Sequence, residues 1–260
     1  MRVRSADVRA AWGWRLLLIA AVAAIWEAAG RLGWVDPELL PPLSKIFVAL
    51  WRLLEDTGFR SDLWITIAEC LIAFAIVAPL GLASGFLLGE RPRLEKLFGP
   101  ALQLLMTVPK SVFLPVFILL FGIGLQEKII FAVALAYFIV VPTGIAAVHA
   151  VPRGLVVAAR AFGASRRQVY TQIYLPAVTP IILSGARLGL IFTIHGIIFA
   201  EMYASSEGIG RRILDWGESF QMQPMLAAVL LVLIVTVALN ESMQFIERYT
   251  RSRLSLGAKS

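Results

Sequence analysis

Six apolar stretches, each long enough to cross a bilayer, constrain the fold of this chain more than any motif in it. A transmembrane helix needs about 20 predominantly apolar residues. The stretches cover residues 14–34, 63–89, 98–122, 128–150, 177–203 and 225–246. The sequence therefore predicts an all-α membrane protein with six transmembrane helices. Residues 14–250 form the membrane domain, between a cytoplasmic N-terminal segment, 1–13, and a basic cytoplasmic tail, 251–260.

The composition also indicates a bilayer environment. Hydrophobic residues make up 59% of the chain and charged residues 16%, whereas soluble domains average about 45–50% and 25%. The net charge of +7 is explained by basic cytoplasmic loops, so nucleic acid is not expected as a partner. The single cysteine, Cys70, excludes a disulfide framework within the chain. His149 and His195 lack nearby ligand-type residues, so no metal site is predicted.

The first stretch has two interpretations. Its apolar run from Trp14 to Ala29 follows several arginines and precedes small residues, as in a cleaved signal peptide. However, it contains Trp26 and Glu27 and is followed by further membrane-length stretches. We therefore favour a first transmembrane helix that is retained.

Lysine and arginine are distributed unevenly among the loops. With a cytoplasmic N-terminus, the termini and every second loop are basic, through Arg2, Arg4, Arg9, Arg15, Arg91, Arg93, Lys96, Arg153, Arg160, Arg166, Arg167, Arg248, Arg251, Arg253 and Lys259. The outer loops then mix a larger set of acids with Lys45, Arg52, Arg60, Lys128, Arg211 and Arg212. Because cytoplasmic loops are enriched in Lys and Arg, both termini are predicted to be cytoplasmic.

Two local patterns add detail to this topology. Gly81, Gly85 and Gly89 lie four residues apart in the second stretch. Such spacing lets helix backbones approach closely in lipid, and packing within the bundle is favoured over a subunit interface. Residues 44–54 have helical apolar spacing and are predicted to lie along the membrane surface.

Residues 151–176, between the fourth and fifth stretches, form a basic segment punctuated by glycine. Gly163 is suited to the left-handed conformation that ends a helix. Ser165 is a candidate N-cap, and Gln168 three residues later completes a capping box. The apolar face predicted for the first helix consists of Leu155, Val156, Ala159 and Phe162. The segment is therefore predicted to be two short helices with a corner, and Pro176 begins the fifth span.

This segment resembles the cytoplasmic signature of the membrane subunits of binding-protein-dependent ABC importers. That pattern reads Glu-Ala-Ala, three residues, Gly, nine residues, Ile, any residue, Leu-Pro. The matching residues here are Ala158, Ala159, Gly163, Ile173, Leu175 and Pro176. Val157 stands where the family usually has Glu, so one polar anchor is missing. Permeases for sulfonates, taurine and nitrate have segments similar to "LLPPLSKI" (39–46), "VPKSVFLPVFILLFGIG" (108–124), "ARAFGAS" (159–165) and "FAEMYASSEGIG" (199–210).

The resemblance implies a type I importer transmembrane domain in the bacterial cytoplasmic (inner) membrane. Two permease copies, by default a homodimer, would work with two cytoplasmic ATP-binding subunits and an extracytoplasmic solute-binding protein. A coupling helix would dock on each ATPase through Ala158, Ala159, Arg160, Gly163, Ala164, Ser165, Ile173, Leu175 and Pro176. Alternating access would then import a small anionic organic solute of the sulfonate, taurine or nitrate class. Relatives also handle thiamine-pyrimidine precursors and aromatic carboxylates.

The sequence contains no recognisable motif for binding ATP. A G-x-x-x-x-G-K-[S/T] phosphate loop is missing from the sequence, so ATP and magnesium are expected on the partner ATPase and no cofactor on this chain. We find no paired carboxylates with a base and no nucleophile motif, which argues against an enzyme. The alternative class is an ATP-independent secondary transporter or channel, in which the cytoplasmic signature would have no purpose.

Ionisable residues within the spans are candidates for the translocation path, because their burial is costly. Lys110 would line the path and attract an anion, with a buried ion pair or a water-facing structural lysine as the alternatives. Arg187 would line the path or pair with a glutamate. Glu201 would act in gating or contact the binding protein. Broken helices near mid-membrane fit a transport path, and prolines inside the spans, which predict such breaks, are Pro79, Pro109, Pro115 and Pro142.

The remaining candidates have stronger structural alternatives. His195 is weighed as a path residue against a hydrogen-bonded core histidine, and the core position is favoured. The aromatic residues, among them Phe113 and Tyr137, would offer a stacking surface for an aromatic solute or serve as packing. Glu27 and Glu69 are predicted to form structural pairs.

Overall fold

The structure is a computed structural model that describes residues 5–256, without the side chains of residues 5–12, 15–16, 153 and 251–256. The predicted cytoplasmic segment, 1–13, and the basic tail, 251–260, lie partly outside the described residues. Every regular element within 5–256 is helical, which confirms the all-α prediction.

The helices are numbered in chain order. They are α1 Ser5–Arg31, α2 Leu43–Glu55, α3 Thr57–Glu90, α4 Pro92–Thr107, α5 Leu114–Phe121, α6 Leu125–His149, α7 Arg153–Ala161, α8 Arg166–Val169, α9 Leu175–Ala204, α10 Ile209–Glu218 and α11 Met222–Leu256. A 3₁₀ turn, Lys110–Phe113, precedes α5, and a π-helical turn, Tyr170–Tyr174, joins α8 to α9.

Several helices have the length and hydropathy of membrane spans. Among the described residues there are four: Thr57–Glu90, Leu125–His149, Arg166–Ala204 and Met222–Thr250. A fifth is obtained if α4 and the Lys110–Phe121 segment are counted together. These helices correspond to the second to sixth predicted stretches, and the first stretch lies in α1. A multi-span protein is therefore confirmed, while the count of six stays a prediction.

The third predicted stretch, 98–122, is interrupted by a bend of 85°. Pro109 has no backbone N–H and disfavours helical geometry at Val108, which adopts φ −70° and ψ 129°. Pro115 then lies in the first turn of α5, where its missing donor costs little. Gly122 ends α5 with φ +75°. Pro109 and Pro115 therefore divide what hydropathy alone predicts as one helix. The breaks predicted at Pro79 and Pro142 are wrong, because each of these prolines lies inside a continuous helix.

Residues 62–211 and 233–256 belong to one compact unit, in which α6 contacts both α3 and α9. Gly81, Gly85 and Gly89 of α3 all face α6. A Cβ atom at Gly85 would overlap the Val141 carbonyl oxygen and lie 2.7 Å from Cα of Gly144. This contact confirms that the small-residue pattern packs helices within the bundle.

Glycines also bring α9 close to α6. Gly189 and Gly196 of α9 contact Val140 and Ala132 so closely that an added Cβ would come within 2.7 Å of either residue. Nearby, Cys70 is buried and unpaired in an apolar cluster with neighbours from α3, α6 and α9. The centre of this unit is thus held by backbone-to-backbone proximity as well as by apolar side chains.

Residues 5–61 and 212–232 belong to a second unit. Within it, Glu27 accepts hydrogen bonds from Ser44 N at 3.0 Å and from Arg31 Nε at 2.5 Å, which confirms its predicted structural pairing. Helix α2, predicted from residues 44–54, is confirmed as an amphipathic helix. It buries Ile46 and Leu50 on one face.

Candidate functional site

The corner of the basic segment is a complete Schellman motif. Gly163 adopts φ +81°, and its N–H donates to the Arg160 carbonyl at 3.0 Å. The N–H of Ala164 donates to the Ala159 carbonyl at 2.9 Å. These two bonds satisfy carbonyls that the end of α7 would otherwise leave free. The left-handed glycine predicted from the sequence is therefore confirmed.

The chain after the corner is equally well defined. Ser165 Oγ accepts from Gln168 N at 3.3 Å, and Gln168 Oε1 accepts from Ser165 N at 2.8 Å. The predicted capping box is confirmed. Helix α8 continues through the π-helical turn into α9. That turn ends just before Pro176, which cannot donate to the carbonyl four residues earlier, so a wider turn fits the sequence there.

One part of the predicted apolar face is wrong. Val156 is buried, in a small core with Val151 and Val169. Leu155 and Phe162, however, are 58% and 91% exposed. A helix of nine residues buries only one side, and Phe162 lies where the chain turns away from α7.

Leu155 and Phe162 are seven residues apart, about two helical turns, and form what we call the coupling surface. Val157 is 68% exposed on another side of α7. Exposed Arg160, Arg166 and Arg167 lie in the same segment. Of the other signature residues, Ala158, Gly163 and Ser165 are exposed, whereas Ala159, Ala164, Ile173, Leu175 and Pro176 are half-buried. The segment thus presents an apolar patch with basic neighbours on a rigid corner.

A second feature is a cavity of about 130 Å³ at the bend between α4 and α5. Lys110 is the one charged residue among those that line it. The lysine Nζ lies 5.4 Å from the centre of the Phe138 ring and 3.4 Å from the Met106 carbonyl oxygen. A buried ion pair, one of the alternatives to a path role for Lys110, is not found in the described part of the chain. The apolar walls include Leu105, Phe113, Phe117, Phe131, Leu135 and Phe138.

Phe113, also a path candidate, lines this cavity, whereas Tyr137, Arg187, His195 and Glu201 do not. Tyr137 lies beside it, with its ring edge-to-face with Phe138 at 5.4 Å. Arg187 is half-buried, and its Nε has no hydrogen-bond partner. His195 is exposed, in an edge-to-face contact with Phe192 at 6.0 Å. The favoured interpretation of His195 as a core histidine is therefore wrong for the protomer.

Glu201 is fully buried in a network that ties the α9–α10 loop to α3. Its carboxylate accepts from Thr66 Oγ1 at 2.7 Å and from Gly210 N at 2.8 Å. Thr66 Oγ1 in turn accepts from Ile209 N at 3.0 Å. In this conformation the carboxylate holds a loop in place and does not face the Lys110 cavity.

Sequence analysis missed two buried ionisable residues, Lys128 and Glu127. Lys128 pairs with Glu69, and its Nζ donates to Ser205 Oγ at 3.2 Å. Both partners of this ion pair are 3% exposed, which confirms the structural pairing predicted for Glu69. The neighbouring Glu127 is fully buried, and neither of its carboxylate oxygens has a hydrogen-bond partner. The one sequence signal was the position of Glu127 and Lys128 at the edge of an apolar stretch.

Comparison with known proteins gives these features a common context. Residues 77–253 match the family of binding-protein-dependent transport system inner membrane components. The chain belongs to this family. The match includes the Schellman corner, the Lys110 cavity and the whole of α6. The protein is thus the permease component of a binding-protein-dependent ABC importer.

Individual relatives support the same assignment. The chain is 32% identical to the putative aliphatic sulfonates transport permease SsuC of Bacillus subtilis, over 95% of this chain and 90% of the relative. It is 28% identical to the taurine transport system permease TauC of Escherichia coli, over 88% and 86%. In fold, it matches a chain of the MetNI methionine ABC transporter, solved in inward-facing conformations, with a TM-score of 0.63. That match has 21% identity and covers 73% of this permease and 94% of the MetNI chain.

Proposed function

We propose that the coupling surface of this permease docks on a cytoplasmic ATPase subunit and transmits its movements to the membrane helices. The observation that carries this proposal is Phe162, which is 91% exposed at the end of a helix fixed by the Schellman motif. An exposed aromatic residue among apolar neighbours is typical of a protein interface. Because the corner is rigid, movement of the partner would pass to α9 through the continuous helix from Arg166 to Ala204.

The working assembly in this proposal is two permease copies, by default identical, with two ATPase subunits and an extracytoplasmic solute-binding protein. Both termini and the coupling surface face the cytoplasm, in line with the basic loops. None of the residues of helix α4 is buried. In this proposal, a further subunit or lipid therefore covers its surface. ATP binding would bring the two coupling surfaces together and open the path outward. Release of the nucleotide would reverse this change.

The transported solute in this proposal is a small organic anion, and the Lys110 cavity is part of its path. A half-buried ammonium group with no carboxylate partner in the described chain favours an anion. The aromatic and aliphatic walls favour a solute with an apolar part, so a sulfonate fits better than nitrate. The relatives named for aliphatic sulfonates and for taurine support this class.

The test of the coupling role is co-purification with the ATPase subunit. Gly163→Val forces a β-branched residue into φ +81°, a conformation that such residues avoid. We expect the variant to lose ATPase binding and stimulation of ATP hydrolysis by the solute-loaded binding protein. The matched control is Gly154→Val in α7, where an added Cβ meets nothing within 4 Å.

Two outcomes distinguish the hypotheses. Loss of ATPase binding in Gly163→Val alone, with the thermal stability of the permease retained, would support docking through this corner. Equal ATPase binding by both variants, or none by the wild type, would contradict the proposal and favour an ATP-independent transporter.

The path proposal predicts that Lys110→Met uncouples transport from ATP hydrolysis. Removing a charge-assisted contact of about 1.5–3 kcal/mol should weaken solute binding in the path by about tenfold or more. Uptake of a radiolabelled alkanesulfonate into vesicles should therefore fall, while stimulation of the ATPase by the binding protein persists. Lys96→Met, an exposed lysine of α4, is the control. Unchanged uptake by Lys110→Met would remove Lys110 from the path.

A further inference from the structure

Helix α2 exposes large apolar side chains on its outer face. Ile46 and Leu50 are buried, but Phe47 and Trp51 are 57% and 68% exposed. Trp51 Nε1 donates to Glu55 Oε1 at 2.8 Å, which fixes the orientation of its ring. Exposure of aromatic side chains of this size to water is unfavourable. We therefore expect this face to be in permanent contact with another apolar group.

Beside this apolar face lies a groove with two cations. A cavity of about 360 Å³ is lined by Ser44, Lys45, Val48, Ala49, Arg52 and Gln223. Lys45 and Arg52 are seven residues apart, about two helical turns, and therefore lie on one side of α2. Neither forms an ion pair with a carboxylate in the described chain, and the nearby carboxylates of Glu27 and Glu55 already accept other donors.

We propose that this groove binds the phosphate headgroup of an anionic phospholipid. The phosphate would lie between Lys45 and Arg52, with a hydrogen bond from Gln223. The part of an acyl chain nearest the headgroup would cover Phe47, Val48 and Trp51. This combination of cations and large apolar residues on an amphipathic helix is the one that binds at the bilayer interface.

A lipid explains more of this surface than other phosphate esters or proteins do. A soluble phosphate ester would neutralise the cations but leave the aromatic residues in water. A solute-binding protein that dissociates in each cycle would also leave the apolar face periodically uncovered. A phospholipid provides the anion and the apolar cover in one molecule, and it is always present. The proposal does not depend on which solute the permease carries or on how the ATPase docks.

The test is lipid-dependent stabilisation of the purified permease–ATPase complex in neutral detergent. We expect phosphatidylglycerol to raise the thermal midpoint at lower concentration than phosphatidylcholine does. Because each cation near a membrane surface changes affinity by about fivefold, the double variant Lys45→Gln/Arg52→Gln should need about 30-fold more phosphatidylglycerol for the same stabilisation. Arg60→Gln, an exposed arginine eight residues after Arg52, is the control for charge alone.

Each outcome decides the proposal. The proposal is supported if the double variant selectively loses its stabilisation by phosphatidylglycerol. It is also supported if Phe47→Ser binds both lipids more weakly than the wild type does. Equal effects of the two lipids in the wild type would overturn it. Equal stabilisation by soluble glycerol 3-phosphate would assign the groove to free phosphate esters. Weaker docking of the binding protein in the double variant, with the lipid response unchanged, would make α2 a protein interface.

Discussion

Replacing Gly85 by leucine is expected to prevent the membrane domain from packing. The side chain would have to occupy the space of the Val141 carbonyl oxygen and of Gly144 in α6. These are backbone atoms, which cannot move aside by changing a rotamer. Overpacking of this kind costs about 3 kcal/mol or more. The protein should therefore be lost from the folded fraction in detergent, as measured by size-exclusion profile and thermal denaturation.

The control for this variant is Gly99→Leu in α4. An added Cβ at Gly99 meets nothing within 4 Å, and leucine has a higher helix propensity than glycine. The control should keep the wild-type elution profile and an equal or higher thermal midpoint. If Gly85→Leu and Gly99→Leu denature at the same temperature, α3 and α6 are not in contact in the membrane as the structure has them.

The features predicted from the sequence are those that depend on neighbouring residues in the chain. Hydropathy over about 20 residues gives the membrane-length helices, because lipid admits few other backbone structures. The Schellman corner and the capping box depend on Gly163, Ser165 and Gln168, which lie within six consecutive positions. Local hydrogen bonds determine such geometry, so local sequence predicts it.

The features that escaped prediction depend on distant residues or on partners. The prolines signal a break near Pro109, but they do not specify its angle, which is 85° in the structure. Helical periodicity places Phe162 beside Ala159, three residues earlier, because it takes no account of the turn of the chain at Phe162. The 91% exposure of Phe162 is therefore visible only in the structure.

The ion pair between Glu69 and Lys128 illustrates the same limit. From the pattern of charges, Lys128 belongs to an outer loop, because it stands at the edge of an apolar stretch. In the structure it is 3% exposed and contacts residues from α3 and from the α9–α10 loop. Its burial follows from the position of Glu69 in a different helix, and one sequence carries no direct signal of that pairing.

Lys128→Met is accordingly expected to be the most damaging single charge substitution in the chain. It leaves Glu69 buried without its cation, next to the fully buried carboxylates of Glu127 and Glu201. Removing one partner of a buried ion pair typically costs about 3–5 kcal/mol, whereas replacing both partners is often close to neutral. The double variant Glu69→Gln/Lys128→Met should therefore recover most of the lost stability.

The measurement is the thermal midpoint of the four proteins of this cycle: wild type, Glu69→Gln, Lys128→Met and the double variant. A double variant that is more stable than Lys128→Met shows that the uncompensated carboxylate causes the damage. If the losses simply add, the two side chains act independently, and the contact is not an ion pair in the folded protein. Rescue would also separate this packing role from transport, because the double variant keeps Lys110 and the coupling surface intact. Uptake that recovers with stability would then show that the Glu69–Lys128 pair holds α3 and α6 together and is not itself part of the solute path.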